Sequence, residues 1–259
     1  MIDALGRHVR RTTSEMFYGL GFAWVLQRES FLFLRRGRIS LPVLVAQVYF
    51  TGVEALPILA LISLGIGAAV IIQGTSLLPQ FGQGELAFRI LILVITRELG
   101  PLLTALVIAA RSGSAITTEL GNMVVDHEIE AYHAAGIDPI GFLAAPRLIG
   151  VTVAMVFLNL YFSLIGLFGS CAVASLIHGV PLGEYLHNLV SALNGGDIAS
   201  SVIKSLVFGN ILATVATYYG FKVERAVTEV PQKTIASLGA SMTLCIVANV
   251  VITILFQQG

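Results

Sequence analysis

Five long apolar runs, separated by polar segments, dominate the hydropathy pattern of this 259-residue chain. Each run approaches or exceeds the roughly 20 residues that an α-helix needs to cross about 30 Å of hydrocarbon. The first run extends upstream to about Val43 and contains Glu54 and Pro57, which favours a long or tilted helix. The pattern therefore predicts an all-α integral membrane protein with five transmembrane helices, over residues 56–72, 86–110, 148–177, 205–221 and 238–256.

The first 40 residues have a different pattern, in which basic residues alternate with apolar ones. Apolar side chains recur at roughly helical spacing, at Phe17, Leu20, Trp24, Phe31 and Leu34. Such a helix fits the headgroup region of a membrane, with the single tryptophan as an interface anchor. We expect an interfacial amphipathic helix over residues 1–40. The alternative is a water-facing helix that packs on the bundle.

Composition and charge sharpen this picture. Hydrophobic residues make up 56% of the chain and charged residues 12%, whereas a soluble domain has about 25% charged residues. Seven of the fifteen Lys and Arg residues precede the first run, which by the positive-inside rule places the N-terminus in the cytoplasm. Five spans then place the C-terminus on the outside of the membrane. No Lys or Arg occurs between His178 and Lys204, so we expect residues 178–201 to form an external loop before the fourth span.

The polar segment between the second and third runs is acidic. Val125, Ile129 and Tyr132 share one helical face, which favours a short amphipathic helix. Gly136 and Pro139 favour a helix end just beyond it. Carboxylates would be costly in hydrocarbon, so this segment lies outside the bilayer, where it is either a docking element for a partner or an inert solvated helix. The polar residues concerned are Glu119, Asp126, Glu128, Glu130, His133 and Asp138.

An Arg97-Glu98 pair lies about halfway along the second run. Ionisable residues at membrane depth usually face a bundle interior or a watery cavity. The pair could therefore line a translocation path, or it could be an internal ion pair that holds the spans together. Pro101 removes a backbone hydrogen bond nearby and favours a kink.

Several kinds of site are excluded because their sequence motifs are absent. The sequence has no G-x-x-x-x-G-K-[ST], no H-E-x-x-H and no G-x-S-x-G. Energy from ATP would therefore come from a separate subunit, and we expect neither a metal nor a catalytic residue in this chain. Cys171 and Cys245 lie in apolar runs and are interpreted as core residues. We expect no nucleic acid among the partners.

The run TRELGPLLTALVIAARSGSAITTELGNM, followed by EIEAYHAAGIDP and then PR, resembles the MlaE/YrbE permeases of ABC transporters that move phospholipid between bacterial membranes. The similarity covers essentially the whole chain as a single permease domain. It implies a homodimer in the inner membrane and an MlaF-like ATPase that binds ATP and Mg. It also implies a periplasmic MCE-domain protein similar to MlaD and a small STAS-type protein on the ATPase.

The resemblance also assigns residues by position. It implies a coupling helix over residues 119–139 that contacts the ATPase. It implies a lipid cavity formed by Val70, Gln73, Leu77, Leu78, Phe81, Arg97 and Glu98. From the residues alone, a secondary transporter or channel that uses the Arg97-Glu98 pair without an ATPase stays open as an alternative.

Overall fold

The computed structural model describes residues 2–35, 41–77, 86–179, 181–224 and 226–257, without the side chains of residues 2–16, 41–43, 77, 178 and 257. Over this part of the chain the regular structure is helical. The α-helices are α1 Ile2–Arg35, α2 Leu41–Gly52, α3 Leu56–Leu77, α4 Leu86–Ile92, α5 Leu99–Ile108, α6 Ser114–Val125, α7 Glu128–Ala134, α8 Ala145–His178, α9 Leu182–Ala192, α10 Gly195–Phe221 and α11 Glu229–Gln257. A 3₁₀ turn at Val53–Ala55 joins α2 to α3, and π-helical segments lie at Leu93–Glu98, Ala109–Gly113 and Ile140–Ala144.

Among the described residues, five stretches are long and apolar enough to cross a membrane. They are Leu44–Ser76, Leu86–Val125, Ile140–Ile177, Gly195–Phe221 and Glu229–Phe256, called here the first to fifth spans. The prediction of an all-α chain with five membrane-spanning helices is confirmed. The first span has a break at Glu54, whose carboxylate forms an ion pair with Arg111 of the second span.

The second span is longer than the sequence predicted, because helix continues past residue 110 to Val125. Forty helical residues at about 1.5 Å each measure about 60 Å, twice the hydrocarbon thickness. The polar residues in this extension have partners within the protein. The Thr117 hydroxyl bonds to the Ala216 carbonyl at 3.0 Å and to Ser237 Oγ at 3.1 Å. The extension is therefore held by α10 and α11.

The fourth span begins at Gly195, ten residues before the predicted start at 205. Asn194 and Asp197 form a capping box that fixes the helix start. Lys204 therefore lies inside a membrane-spanning helix and not at the edge of an external loop. The segment before it is not a simple loop either, because it contains α9.

Helix α9 is anchored by Tyr185, which is 1% exposed and packs edge-on against Phe88 with ring centroids 5.2 Å apart. Its hydroxyl lies 2.7 Å from Ser170 Oγ and donates to the Leu167 carbonyl at 3.2 Å. Burial raises the pKa of this phenol to about 12. Helix α9 is thus fastened to the second and third spans.

The long third-span helix α8 lies at the centre of the bundle and packs against α2, α3 and α10. Glycines allow two of these approaches. A Cβ atom at Gly67 would lie 2.5 Å from the Gly166 carbonyl oxygen, and one at Gly209 would lie 2.7 Å from the Thr152 Cα. Small residues let membrane helices approach this closely where lipid gives no hydrophobic drive for association.

Helix α1 has two different faces. Leu26 is fully buried, and Gln27 donates to the Asn210 side chain at 2.7 Å, so one face packs on the bundle. The stripe of Phe17, Leu20, Trp24, Phe31 and Leu34 is 52–75% exposed. Apolar exposure of this size is expected where a helix meets lipid, and the interfacial location of residues 1–40 stays a prediction.

Candidate functional site: a charged network that joins three spans

The candidate site begins at the π-helical segment Leu93–Glu98 of the second span. The Leu99 amide bonds to the Val94 carbonyl, five residues back, as in a π-helix. Gly100 fits this path, since a Cβ atom there would run into the Ile95 carbonyl oxygen. Pro101 has no N–H and leaves the carbonyl of Arg97, four residues earlier, without its helical donor. The local sequence thus produces a distorted turn in which the Arg97 carbonyl lacks the i+4 donor of a regular α-helix.

Lys204 of the fourth span supplies the missing donor. Its ammonium is completely buried and donates to the Arg97 carbonyl at 2.9 Å. It also donates to Glu98 Oε2 at 2.8 Å and to Thr253 Oγ1 at 2.8 Å. An ammonium has three N–H donors, so these three bonds satisfy it.

Glu98 connects the second span to the fifth span as well. Thr253 lies 3.1 Å from Glu98 Oε2, and the Asn249 amide donates to the same oxygen at 3.3 Å. With the Lys204 ion pair, this carboxylate has partners on both neighbouring spans. Its close ion-pair partner is therefore Lys204 at 2.8 Å, whereas Arg97 Nε is farther away at 3.6 Å.

The Arg97 guanidinium has fewer close partners than the Lys204 ammonium. Its Nη1 lies 3.6 Å from Asp197 Oδ1, beyond hydrogen-bond range but within ion-pair range. Its Nε and Nη2 atoms are buried and have no hydrogen-bond partner among the described residues. Asp197 also accepts weakly from the Asn194 amide at 3.4 Å, as part of the helix cap. The network therefore combines two cations and two carboxylates, and the guanidinium keeps unused donors.

The sequence reasoning found Arg97 and Glu98 but missed Lys204 and Asp197. A signal was available in the capping pattern Asn194-x-x-Asp197, which starts a helix early enough to include Lys204. The pairing itself joins residues 106 positions apart, which no local pattern encodes.

The apolar positions assigned to a lipid cavity are only partly described. Val70 is half-buried against the core and Gln73 is exposed near the end of α3. Leu77 ends α3, and its side chain is not described. Leu78 and Phe81 lie outside the described residues. Their role in lipid binding stays a prediction.

The acidic segment forms two helices where the sequence predicted one. Glu119 lies in α6, Asp126 ends that helix, and His127 takes a left-handed conformation before α7 begins. Helix α7, Glu128–Ala134, has no buried residue. Glu128, Glu130 and His133 are exposed, and only Ile129 and Tyr132 are partly covered.

The ends of this segment are fastened to the third span. Glu119 Oε1 accepts from the Arg147 guanidinium at 2.7 Å. Asp138 accepts from the backbone amides of Ile140 and Gly141 at 3.2 and 3.0 Å, so it fixes the start of the next helix. The Tyr132 ring packs on Phe142 with centroids 5.6 Å apart. Helix α7 is therefore attached to the third span while its acidic face stays accessible.

The sequence is similar to a protein family and to several known proteins. The family model "Permease MlaE" matches residues 44–255. A chloroplast protein of Arabidopsis thaliana, TRIGALACTOSYLDIACYLGLYCEROL 1, is 29% identical over 91% of this chain and 67% of its own length. A probable ABC transporter permease protein of Rickettsia prowazekii is 30% identical over 84% of each chain.

The intermembrane phospholipid transport system permease protein MlaE of Haemophilus influenzae is 30% identical over 85% of this chain and 83% of its own length. The family match covers all five spans, the charged network and α7. This chain is a member of the MlaE permease family, and as such a transport subunit and not the ATPase.

Proposed function

We propose that this protein is the membrane permease of an ABC transporter that moves phospholipid between the inner and outer membranes of a bacterium. The observation that carries the proposal is the family match over residues 44–255, together with a relative named for intermembrane phospholipid transport. The five spans support a multi-pass protein of the inner membrane. The basic N-terminal region supports a cytoplasmic N-terminus, and five spans then give a periplasmic C-terminus.

ATP and Mg are bound by a partner ATPase in this proposal, and α7 is its docking element. The exposed carboxylates of Glu128 and Glu130 and the exposed imidazole of His133, on a helix without buried residues, support this assignment. A docking helix must transmit force, and the Glu119–Arg147 bond ties its base to the third span. Motion of the ATPase would then reach the bundle through α6 and α8.

The functional unit is proposed to be a homodimer. The most apolar windows of the first and fifth spans are only 28% and 17% buried within one chain, against 50% for the other three. These faces are available to lipid and to a second copy. An MlaD-like MCE-domain protein would continue the lipid path in the periplasm, and a small STAS-type protein would bind the ATPase.

In the lipid path, Arg97 is proposed to contact the phosphate. A guanidinium binds phosphate through two parallel hydrogen bonds, and Arg97 has two buried nitrogens without hydrogen-bond partners. Glu98 and Asp197 orient it from either side at 3.6 Å. Val70, Gln73, Leu77, Leu78 and Phe81 are proposed to contact the acyl chains.

Docking is tested by reversing Glu128 and Glu130 to Lys and measuring co-purification of the ATPase. We expect the double variant to insert and fold normally but to lose the ATPase, because the acidic face is exposed and makes little contact within the chain. Glu184→Lys, an exposed acidic residue on α9, is the matched control. Unchanged ATPase binding and stimulation in the double variant would contradict the docking role of α7.

Lipid handling is tested by Arg97→Lys in vesicles that contain the whole transporter and fluorescent phospholipid. Lysine keeps the charge but loses the planar, bidentate geometry. We expect lipid transfer to fall about tenfold, which corresponds to about 1.4 kcal/mol, with little change in thermal stability. Arg89→Lys, on the exposed face of the same span, is the control. Full transfer by Arg97→Lys would exclude bidentate phosphate binding.

A further inference from the structure

An open groove of about 470 Å³ lies between α1 and the end of α10, away from the charged network. Five of its lining residues are aromatic: Phe17, Tyr18, Phe22, Tyr218 and Phe221. The Phe22 ring joins the two helices, with centroids 5.6 Å from Tyr218 and 6.2 Å from Phe221. Gly21 also lines the groove, and a Cβ atom there would meet nothing within 4 Å, so this position has space for a side chain.

A cation lies at one end of this apolar groove. Lys222 immediately follows the last residue of α10, and its Nζ is 5.5 Å from the centre of the Tyr218 ring. Apolar walls with a positive charge at one end are complementary to an amphiphile that has an acyl chain and an anionic headgroup. The aromatic walls would contribute little to the binding of a soluble anion.

The surroundings of the groove favour a lipid over a soluble partner. Phe17, Leu20 and Trp24 on the same helix are 75%, 65% and 74% exposed, and they continue the apolar surface of the groove along α1. In a chain with five membrane spans, such a surface faces the bilayer. The groove would then open directly to the leaflet in which α1 lies.

We propose that this groove binds an anionic phospholipid of that leaflet, with one acyl chain between the aromatic rings and the phosphate at the Lys222 ammonium. This site is separate from the transport path and needs only that α1 lies in the membrane. It would fix α1 against the fourth span and make the position of α1 depend on lipid composition.

The test uses the whole transporter in nanodiscs that contain a trace of phosphatidylglycerol or phosphatidylcholine with a photoreactive group in one acyl chain. After illumination, mass spectrometry measures the labelling of residues 17–22 and 218–222. We expect phosphatidylglycerol to label these segments about fivefold more than phosphatidylcholine, the factor that corresponds to about 1 kcal/mol per Lys at an anionic leaflet. Lys222→Gln should remove this preference.

A second variant tests the groove independently of the charge. Gly21→Leu places a side chain in the open space, and we expect it to reduce labelling by both lipids. Gly65→Leu is the matched control, because a Cβ atom there also meets nothing within 4 Å but lies on the first span. Equal labelling by the two lipids in the wild type, unchanged by either groove variant, would overturn the proposal in favour of bulk-lipid contact. A lipid-transfer assay on the same samples reports separately on the transport function.

Discussion

Replacing Lys204 by Met is expected to destabilise the protein more than any other single change in the network. The variant keeps the apolar stem but removes an ammonium that is fully buried and makes three hydrogen bonds. Removing one partner of a buried ion pair costs about 3–5 kcal/mol. The Glu98 side chain is 24% exposed, so partial solvation places the expected loss near the lower limit, about 3 kcal/mol.

The double variant Lys204→Met with Glu98→Gln separates the charge from the packing. A buried pair replaced by uncharged groups is often neutral in stability, because no uncompensated charge is left. We therefore expect the second change to recover about 2 kcal/mol of the loss. The Arg97 carbonyl loses the Lys204 donor in both variants, and Pro101 cannot replace it, so recovery should be incomplete.

The assay is thermal unfolding of the detergent-solubilised protein. A loss of about 3 kcal/mol corresponds to a fall in Tm of about 6–12 °C for a chain of this size. Lys233→Met, at a half-buried position near the start of α11, is the control and should change Tm little. A Lys204→Met variant within 1 kcal/mol of the wild type would refute the reasoning, and so would a double variant whose loss equals the sum of the two singles.

Three further changes test other contacts. Gly100→Ala should cost about 1–3 kcal/mol by overpacking, because the new methyl group would clash with the Ile95 carbonyl; Tm and helical circular dichroism report it. Glu119→Gln should cost only about 1 kcal/mol, because Glu119 is 59% exposed, yet it should weaken coupling of ATP hydrolysis to lipid transfer through Arg147. Burial raises the Tyr185 pKa from 10.0 to about 12, so the contribution of the neutral phenol to the free energy of unfolding is complete below pH 10 and is lost as the pH rises toward 12. Tyr185→Phe should therefore reduce the fall in Tm between pH 10 and pH 12.

Hydropathy predicted the number and order of the spans because each is a long apolar helix in which nearly every position contacts lipid or protein. It misplaced the end of the second span and the start of the fourth, where polar residues have partners within the chain. Thr117 extends the second span through bonds to two other helices. Asn194 and Asp197 extend the fourth span through a helix cap. A tertiary contact at Thr117 and a local cap at Asn194 therefore both move span ends away from where hydropathy places them.

For a related reason, the sequence predicted only Arg97 and Glu98 of the four charged residues in the network. An Arg-Glu pair in an apolar run is conspicuous, and its cost in hydrocarbon marks it as a site. Lys204 was not conspicuous, because it follows a polar segment that could equally have been a loop. The π-helical turn at Leu93–Glu98 fits the local Gly100 and Pro101, but one of its donors comes from a residue distant in sequence, since the Lys204 ammonium bonds to the Arg97 carbonyl.

The two cations of the network differ in a way that bears on their roles. Lys204 has all three donors engaged at 2.8–2.9 Å and no exposed surface, as expected of a group that holds helices together. Arg97 has two buried nitrogens without hydrogen-bond partners among the described residues. A buried donor without a partner costs about 1–3 kcal/mol, and a purely structural pair would gain stability by rotating to satisfy it. An anionic headgroup that accepts from these nitrogens would recover that cost while it is bound, which is why the proposed headgroup role falls to Arg97 and not to Lys204.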